Sequence, residues 1–274
     1  MNASTADGYN PYRITRQGID WEVEEPGNPW SHIGYWGDHQ VIYLLKLLEH
    51  SRRFHPSRLR ELLHRPIFSY ANVPYRIRPF AEIVADPKRT VDYDHELAAR
   101  IAERVAVIGA DGRLVLDGDG EVHRVNLLEK LLVPLLAKLG NLVVDGGIWL
   151  NTQRPEWNDA NNALVGHGVS MVTLYYLRRY VRFLQELLAV EPGSVELSAE
   201  VGEWLADTSA ILARIRPVLG DEAIRPDQRW HWMQELGLAS SRYRQSIYRD
   251  RPFSGKVRRP LGQVMALLDD TLAA

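Results

Sequence analysis

Residues 161–190, NNALVGHGVSMVTLYYLRRYVRFLQELLAV, carry the longest helical period in the chain. Val165, Val169, Val172, Tyr176, Tyr180, Phe183 and Leu187 recur every three or four residues, as in a helix that buries one face, while Arg178 and Arg182 share another face. Pro192-Gly193 ends the pattern. Working outward, Ser198 precedes a second helix carrying Val201, Leu205, Thr208, Leu212, Ile215 and Leu219 and stopped by Gly220. Two more helices are expected over 227–249 and 256–272. Upstream, Asp38 caps a segment that is apolar nearly all round, from Val41 to Leu48, and Pro56 stops it. A short helix over 57–63, an irregular ordered loop over 64–79 and a helix over 92–107 follow. Asn126 caps the next helix, 127–139, where Pro134 predicts a kink. Leu114 to Leu116 and Val122 to Val125, joined by Asp117-Gly118-Asp119-Gly120, read as one small β-hairpin. As a calcium loop this turn lacks the acid at its twelfth position, where Leu128 stands, so a plain turn is expected. The expected fold is therefore all-α, about eight helices with one β-hairpin.

The composition is that of an ordinary globular chain: 274 residues, 45% hydrophobic and 25% charged. Lys plus Arg number 33 against 35 Asp plus Glu, so no global field favours nucleic acid or an anionic membrane. Cysteine is absent, which excludes disulfides, thiolate nucleophiles and Cys-based metal sites. No apolar run reaches the ~18 residues of a membrane span and the first ten residues show no signal-peptide pattern, so a cytoplasmic protein is expected. Residues 1–37 show no period yet hold Tyr9, Tyr12, Trp21, Trp30, Tyr35 and Trp36. They read as an extended aromatic arm that leans on something, ahead of a helical domain over 38–274, and suggest a piece of a larger protein.

Chemistry concentrates just before the long helical period. Gln153-Arg154-Pro155-Glu156-Trp157-Asn158-Asp159-Ala160-Asn161-Asn162 brings together two carboxylates, an indole, carboxamides and a guanidinium. Glycoside chemistry needs those groups: an acid to protonate the departing oxygen, amides and Arg for hydroxyls, an aromatic face for the ring. Asn158 or Asp159 serves equally as a helix N-cap, and a helix start lowers a carboxyl pKa where a general acid wants it raised. Asp145-Gly146-Gly147-Ile148-Trp149 adds an acid and a second indole, or is simply a turn. Asp38, after Trp36-Gly37, is a further carboxylate at a helix start, or its cap. No metal site is expected, because His32, His39 and Asp38 lack ligand spacing. The basic run Arg249, Arg251, Lys256, Arg258 and Arg259 reads either as a phosphate contact or as a solvated linker.

Trp157-Asn158-Asp159-Ala160-Asn161-Asn162 resembles the Trp-Asn-Asp-Gly-Met-Asn motif of the inverting disaccharide phosphorylases, cellobiose phosphorylase among them. Ala160 and Asn161 stand where that motif has Gly and Met, and Pro155-Glu156 where it has Gly-Asp. Together with Tyr35-Trp36-Gly37-Asp38-His39-Gln40 and Tyr70-Ala71-Asn72-Val73-Pro74-Tyr75-Arg76, the loop is also similar to the C-terminal region of very large bacterial proteins related to six-hairpin carbohydrate enzymes. The resemblance implies an (α/α)6 toroid, only part of which this chain supplies, and makes Asp159 the general acid. The resulting expectation is an inverting glycoside hydrolase or phosphorylase without a cofactor, acting on oligosaccharides. Asp159 and Glu156 are its candidate acids and Asp38 or Asp145 the second carboxylate. Trp149 and Trp157 would stack on sugar rings, and Arg154, Asn158, Asn161 and Asn162 would hold hydroxyls. Inorganic phosphate is the co-substrate in the phosphorylase case, and a second polypeptide would complete the barrel. The alternative is a non-catalytic helical scaffold that binds a partner.

Overall fold

The computed structural model describes residues 4–9, 13–15, 18–20, 38–151, 164–220, 224–249 and 252–274, with the backbone alone for 13–15, 18–20 and 38–40. The architecture is mostly helical, with four small antiparallel sheets among the described residues. Its centre is α5, Leu127–Leu139, in which all thirteen residues are buried, Glu129 and Lys130 included. Asn126 starts it as expected, accepting the Glu129 amide at 2.9 Å, and the helix continues through Pro134. Around it stand α1 (Asp38–Phe54), α6 (Met171–Leu188), α7 (Ala199–Ile215) and α8 (Pro226–Ile247). The last helix, α9 (Leu261–Ala273), packs against both α6 and α7, and all share one hydrophobic core. The shorter helices α2 (Pro56–Leu62), α3 (Phe80–Ala85) and α4 (His95–Ile108) lie outside this group, α2 against α1 and α3 against α8.

Three sequence expectations change. The long period is not one unbroken helix: Leu164 is helical, but β7 (Val169–Ser170) pairs with β6 (Gly147–Trp149), itself paired with β5 (Leu142–Val143), and α6 begins at Met171. Ser170 caps it, accepting the Thr173 amide at 3.1 Å. The basic run is neither linker nor helix over its second half. Lys256–Pro260 is strand β9, paired over five residues with β8, Ser194–Ser198, which cradles it against α7. The 64–79 loop contains β3 (Tyr75–Ile77), paired with β4 (Val91–Tyr93). The expected hairpin is present as a turn, with Asp117 N–H donating to Glu121 O at 2.8 Å and His123 N–H to Val115 O at 2.9 Å. Its limbs pair mainly with the 68–71 segment.

The aromatic arm leans on its own chain at its outset. Thr5 bridges Ala71, Tyr9 is 2% exposed, and the Tyr243 hydroxyl donates to Ala6 O at 2.7 Å. Beyond it, β1 (Arg13–Thr15) and β2 (Gly18–Asp20) form a hairpin.

Candidate functional site

The loop expected to carry the chemistry springs from the β5–β6–β7 sheet. Leu150 N–H donates to Gly168 O at 3.0 Å and Gly166 N–H to Leu150 O at 2.6 Å, while Asn151 Nδ2 reaches Asn141 Oδ1 at 2.6 Å. These bonds hold the two ends of the loop side by side, a rigid stem under the segment between Asn151 and Leu164. Arg154, Glu156, Trp157, Asn158, Asp159, Asn161 and Asn162 all lie outside the described residues.

Asp38 is the first residue of α1, with its side chain outside the described part. Its position can still be placed. Arg179 Nη2 meets Glu49 at 2.9 Å and Arg52 Nη1 meets Glu186 at 2.6 Å, with the Arg52 guanidinium 4.4 Å from the centre of the Phe183 ring. Both partners advance together, so α1 and α6 run parallel. Counting back at equal rise sets Asp38 level with the β7–α6 junction, where the loop returns.

Trp149 and Asp145 do not fit the roles expected of them. The Trp149 ring is 8% exposed, packs edge-on to Phe80 at 6.1 Å and donates Nε1–H to Gly166 O at 3.2 Å. It anchors the stem and offers no open face to a sugar. Asp145, at φ +56°, points into solvent and pairs with Arg229 at 2.9 Å. Its carboxylate is therefore committed to an exposed ion pair on α8.

Sequence reading missed a cleft of about 300 Å³ at the other end of α8, lined among others by Asp7, Arg76, Arg100, Arg104, Tyr248 and Arg249. Asp7 accepts hydrogen bonds from the Tyr248 hydroxyl at 2.7 Å and from the Thr5 hydroxyl, yet burial still pushes its carboxyl above the usual range. Arg76 is fixed by Asp94 at 2.7 Å and by the Tyr248 carbonyl, and stands over the Tyr248 ring at 5.1 Å. The only local hint was Arg100 and Arg104, like charges one helical turn apart.

A second group missed by the sequence is buried between α5, β8 and β9. Glu129, 0% exposed, accepts from Ser198 N–H at 2.7 Å, Ser198 Oγ–H at 2.8 Å and Tyr70 Oη–H at 3.1 Å. Ser198 Oγ also lies 2.9 Å from His123 Nε2 and 3.1 Å from Lys256 Nζ. Burial, then the Lys256 charge, lower the His123 pKa to about 4, and burial likewise lowers Lys256. The set has the makings of an activated serine. However, Ser198 is fully buried and its Oγ–H is committed to Glu129, so the arrangement ties the β8–β9 ribbon to the central helix. Among the described residues, no group of three or more His, Asp or Glu stands close enough to hold a metal ion, and no helix is long and apolar enough to cross a membrane. No protein-family model matches the chain, and no curated protein matches it either.

Proposed function

We propose that this chain is a carbohydrate-active domain, part of a six-hairpin (α/α)6 toroid. It performs inverting glycosyl transfer from oligosaccharides to water or inorganic phosphate in the cytoplasm. The observation that carries this reading is the parallel packing of α1 and α6, which brings the Asp38 end of one helix level with the returning end of the 152–163 loop. That supports Asp38 as the second carboxylate of the hydrolytic case, with Asp159 carried by the loop itself. Asp159 donates its proton to the departing glycosidic oxygen. In the hydrolytic case Asp38 takes a proton from water on the opposite face of the sugar, at a carboxyl separation of roughly 6.5 to 9.5 Å. In the phosphorolytic case phosphate attacks directly and needs no base. Glu156 is the rival acid; Trp157 stacks on a ring, and Arg154, Asn158, Asn161 and Asn162 hold hydroxyls.

Exposed apolar side chains on the same two helices favour a second polypeptide that completes the toroid. Tyr43, Leu47 and Phe54 on α1 are 51%, 66% and 64% exposed, and Tyr175 on α6 is 62% exposed. A non-catalytic scaffold docking on a partner draws on the same face. The two readings separate in a screen of oligosaccharides with and without phosphate, run on the wild type, Asp159→Asn and Asp38→Asn. The enzyme reading expects turnover that Asp159→Asn lowers at least a hundredfold. Turnover untouched by that variant removes Asp159 from the mechanism, and an inactive but folded wild type favours the scaffold.

A further inference from the structure

A hollow of about 240 Å³ lies where the end of α9 meets α6 and the start of β5, and it shares no lining residue with the cleft at Tyr248. Its shape follows from how the two helices run. Gln185 Nε2 donates to Asp269 Oδ1 at 2.5 Å, and residues earlier on α6, from Leu174 to Val181, line the hollow with residues later on α9, from Thr271 to Ala274. The helices are therefore antiparallel, and α9 brings its small Ala273 and Ala274 against the larger side chains of α6. Two methyl groups leave that space unfilled. The floor is Leu139 of α5, Leu142 of β5, and Leu177 and Val181 of α6, all members of the common core. Leu174 and Leu272, both partly buried, form the walls. Thr271 adds no polar grip, since its hydroxyl donates to Leu267 O at 2.7 Å.

The rim is different. Tyr175 and Arg178 stand one turn apart on α6, both exposed and both lining the hollow. Arg178 is one of the two arginines that share a helical face in the sequence. The other, Arg182, reaches Gln185, and the adjacent Arg179 pairs with Glu49 at 2.9 Å. Arg178 makes neither a hydrogen bond nor an ion pair among the described residues. Its guanidinium is open to water, so no burial forces a partner on it. What matters is its place: it sets a planar, five-donor cation at the mouth of an otherwise apolar hollow.

We propose that this hollow binds a small amphiphilic monocarboxylate, an apolar body of one aromatic ring or a short alkyl chain with a carboxylate at one end. The body lies on Leu139, Leu142, Leu177 and Val181, where it removes apolar surface from water, and the carboxylate meets the Arg178 fork at the rim. An apolar cavity of roughly 150 Å³ holds benzene, so about 240 Å³ has room for one ring with a short chain and is too small for an oligosaccharide. The inference does not depend on the glycosidic reading.

NMR titration of the full chain, labelled at its Leu and Val methyls, tests it with phenylpropionate, octanoate, the neutral phenylpropanol and acetate. At least one of the two amphiphilic acids is expected to shift the methyl signals of Leu174, Leu177 and Val181, whereas acetate, which lacks the apolar body, leaves them in place. An exposed ion pair adds little, so phenylpropionate should bind about threefold tighter than phenylpropanol. Arg178→Gln removes that difference and leaves the affinity for the alcohol unchanged. Leu174→Trp and, separately, Ala274→Phe fill the hollow and weaken every ligand at least tenfold, with melting curves reporting which of them folds. Asp159→Asn leaves binding unchanged, which separates this site from the proposed catalytic loop. Methyl signals that stay in place with both acids, an acid no tighter than its alcohol, or binding that survives a folded filling variant overturns the proposal.

Discussion

Glu129 has no access to water and is held instead by three hydrogen-bond donors from Ser198 and Tyr70, with Lys256 Nζ 3.8 Å away. Replacing it with Ala strands all of these groups, two of them in fully buried residues. Glu129→Ala should therefore cost about 3 kcal/mol or more in urea denaturation, and Glu129→Gln, which keeps an acceptor of the same shape, clearly less. His123 sits in the same group, stacked on Phe253 at 4.3 Å, and gives it a pH dependence. Its pKa in the folded chain is about 4 against an ordinary 6.5, so the unfolded chain takes up the proton first as pH falls. Stability is then undiminished above 6.5 and declines by on the order of 3 kcal/mol as pH drops to about 4. Asp7 works the other way, since a carboxyl raised by burial holds its proton more tightly in the folded chain. The histidine's share is isolated by comparing melts at pH 7 and 4.5 for the wild type and His123→Gln, which should flatten the decline. An equal decline in the variant would assign it to other groups.

At the scale of elements, helix α8 sets propensity against packing. A Cβ on Gly237 would stand 2.3 Å from ring carbons of Phe80, the residue that opens α3 and supports Trp149. Helix propensity alone predicts that Gly237→Ala stabilises by about 1 kcal/mol. Overpacking of a buried ring costs about 1–3 kcal/mol, so the net change should be destabilising. Gly262→Ala in α9, where an added Cβ meets nothing within 4 Å, is the matched control and should be neutral or slightly stabilising in urea. The same contest explains what could be read in advance. Asn126 with the apolar run behind it, and the Pro56 start after α1, are local signals, and the elements appear where the sequence puts them. Strand β9 was invisible because its partner, β8, lies some sixty residues upstream, and nothing in Lys256 to Pro260 encodes that ribbon. Val165 and Val169 keep a helical spacing, yet Gly166 at φ +79° fits against Pro87 and the backbone is taken up by β6. The cleft was illegible for a related reason: Asp7, Arg76, Arg104 and Tyr248 come from four separate segments, and only the Arg100–Arg104 spacing is local.

For the molecule as a whole, the first described residues tie the central helix to α8. Residues 4–9 lie against α5, α8 and the 69–71 segment: Ala71 N–H donates to Ser4 O at 3.0 Å, Lys138 Nζ sits 5.8 Å from the Tyr9 ring, and Tyr243 and Tyr248 donate to Ala6 and Asp7. Lys130, buried in α5, donates to Ser69 O at 2.6 Å beneath them, and burial drives its pKa well below the usual lysine range. Removing residues 1–9 would expose the central helix, leave two tyrosine hydroxyls without acceptors and open the floor of the cleft. The loss of Tyr9 burial is worth roughly 2 kcal/mol and each stranded hydroxyl about 1 kcal/mol or more. For a chain of this size that lowers the melting temperature by on the order of 10 °C. Because one continuous core joins all the elements around α5, the truncated chain should still melt in a single transition in calorimetry. A melting temperature that did not move would mean that residues 4–9 are a loosely attached tail. A second, earlier transition would mean that the helices packed on α5 are not one cooperative unit.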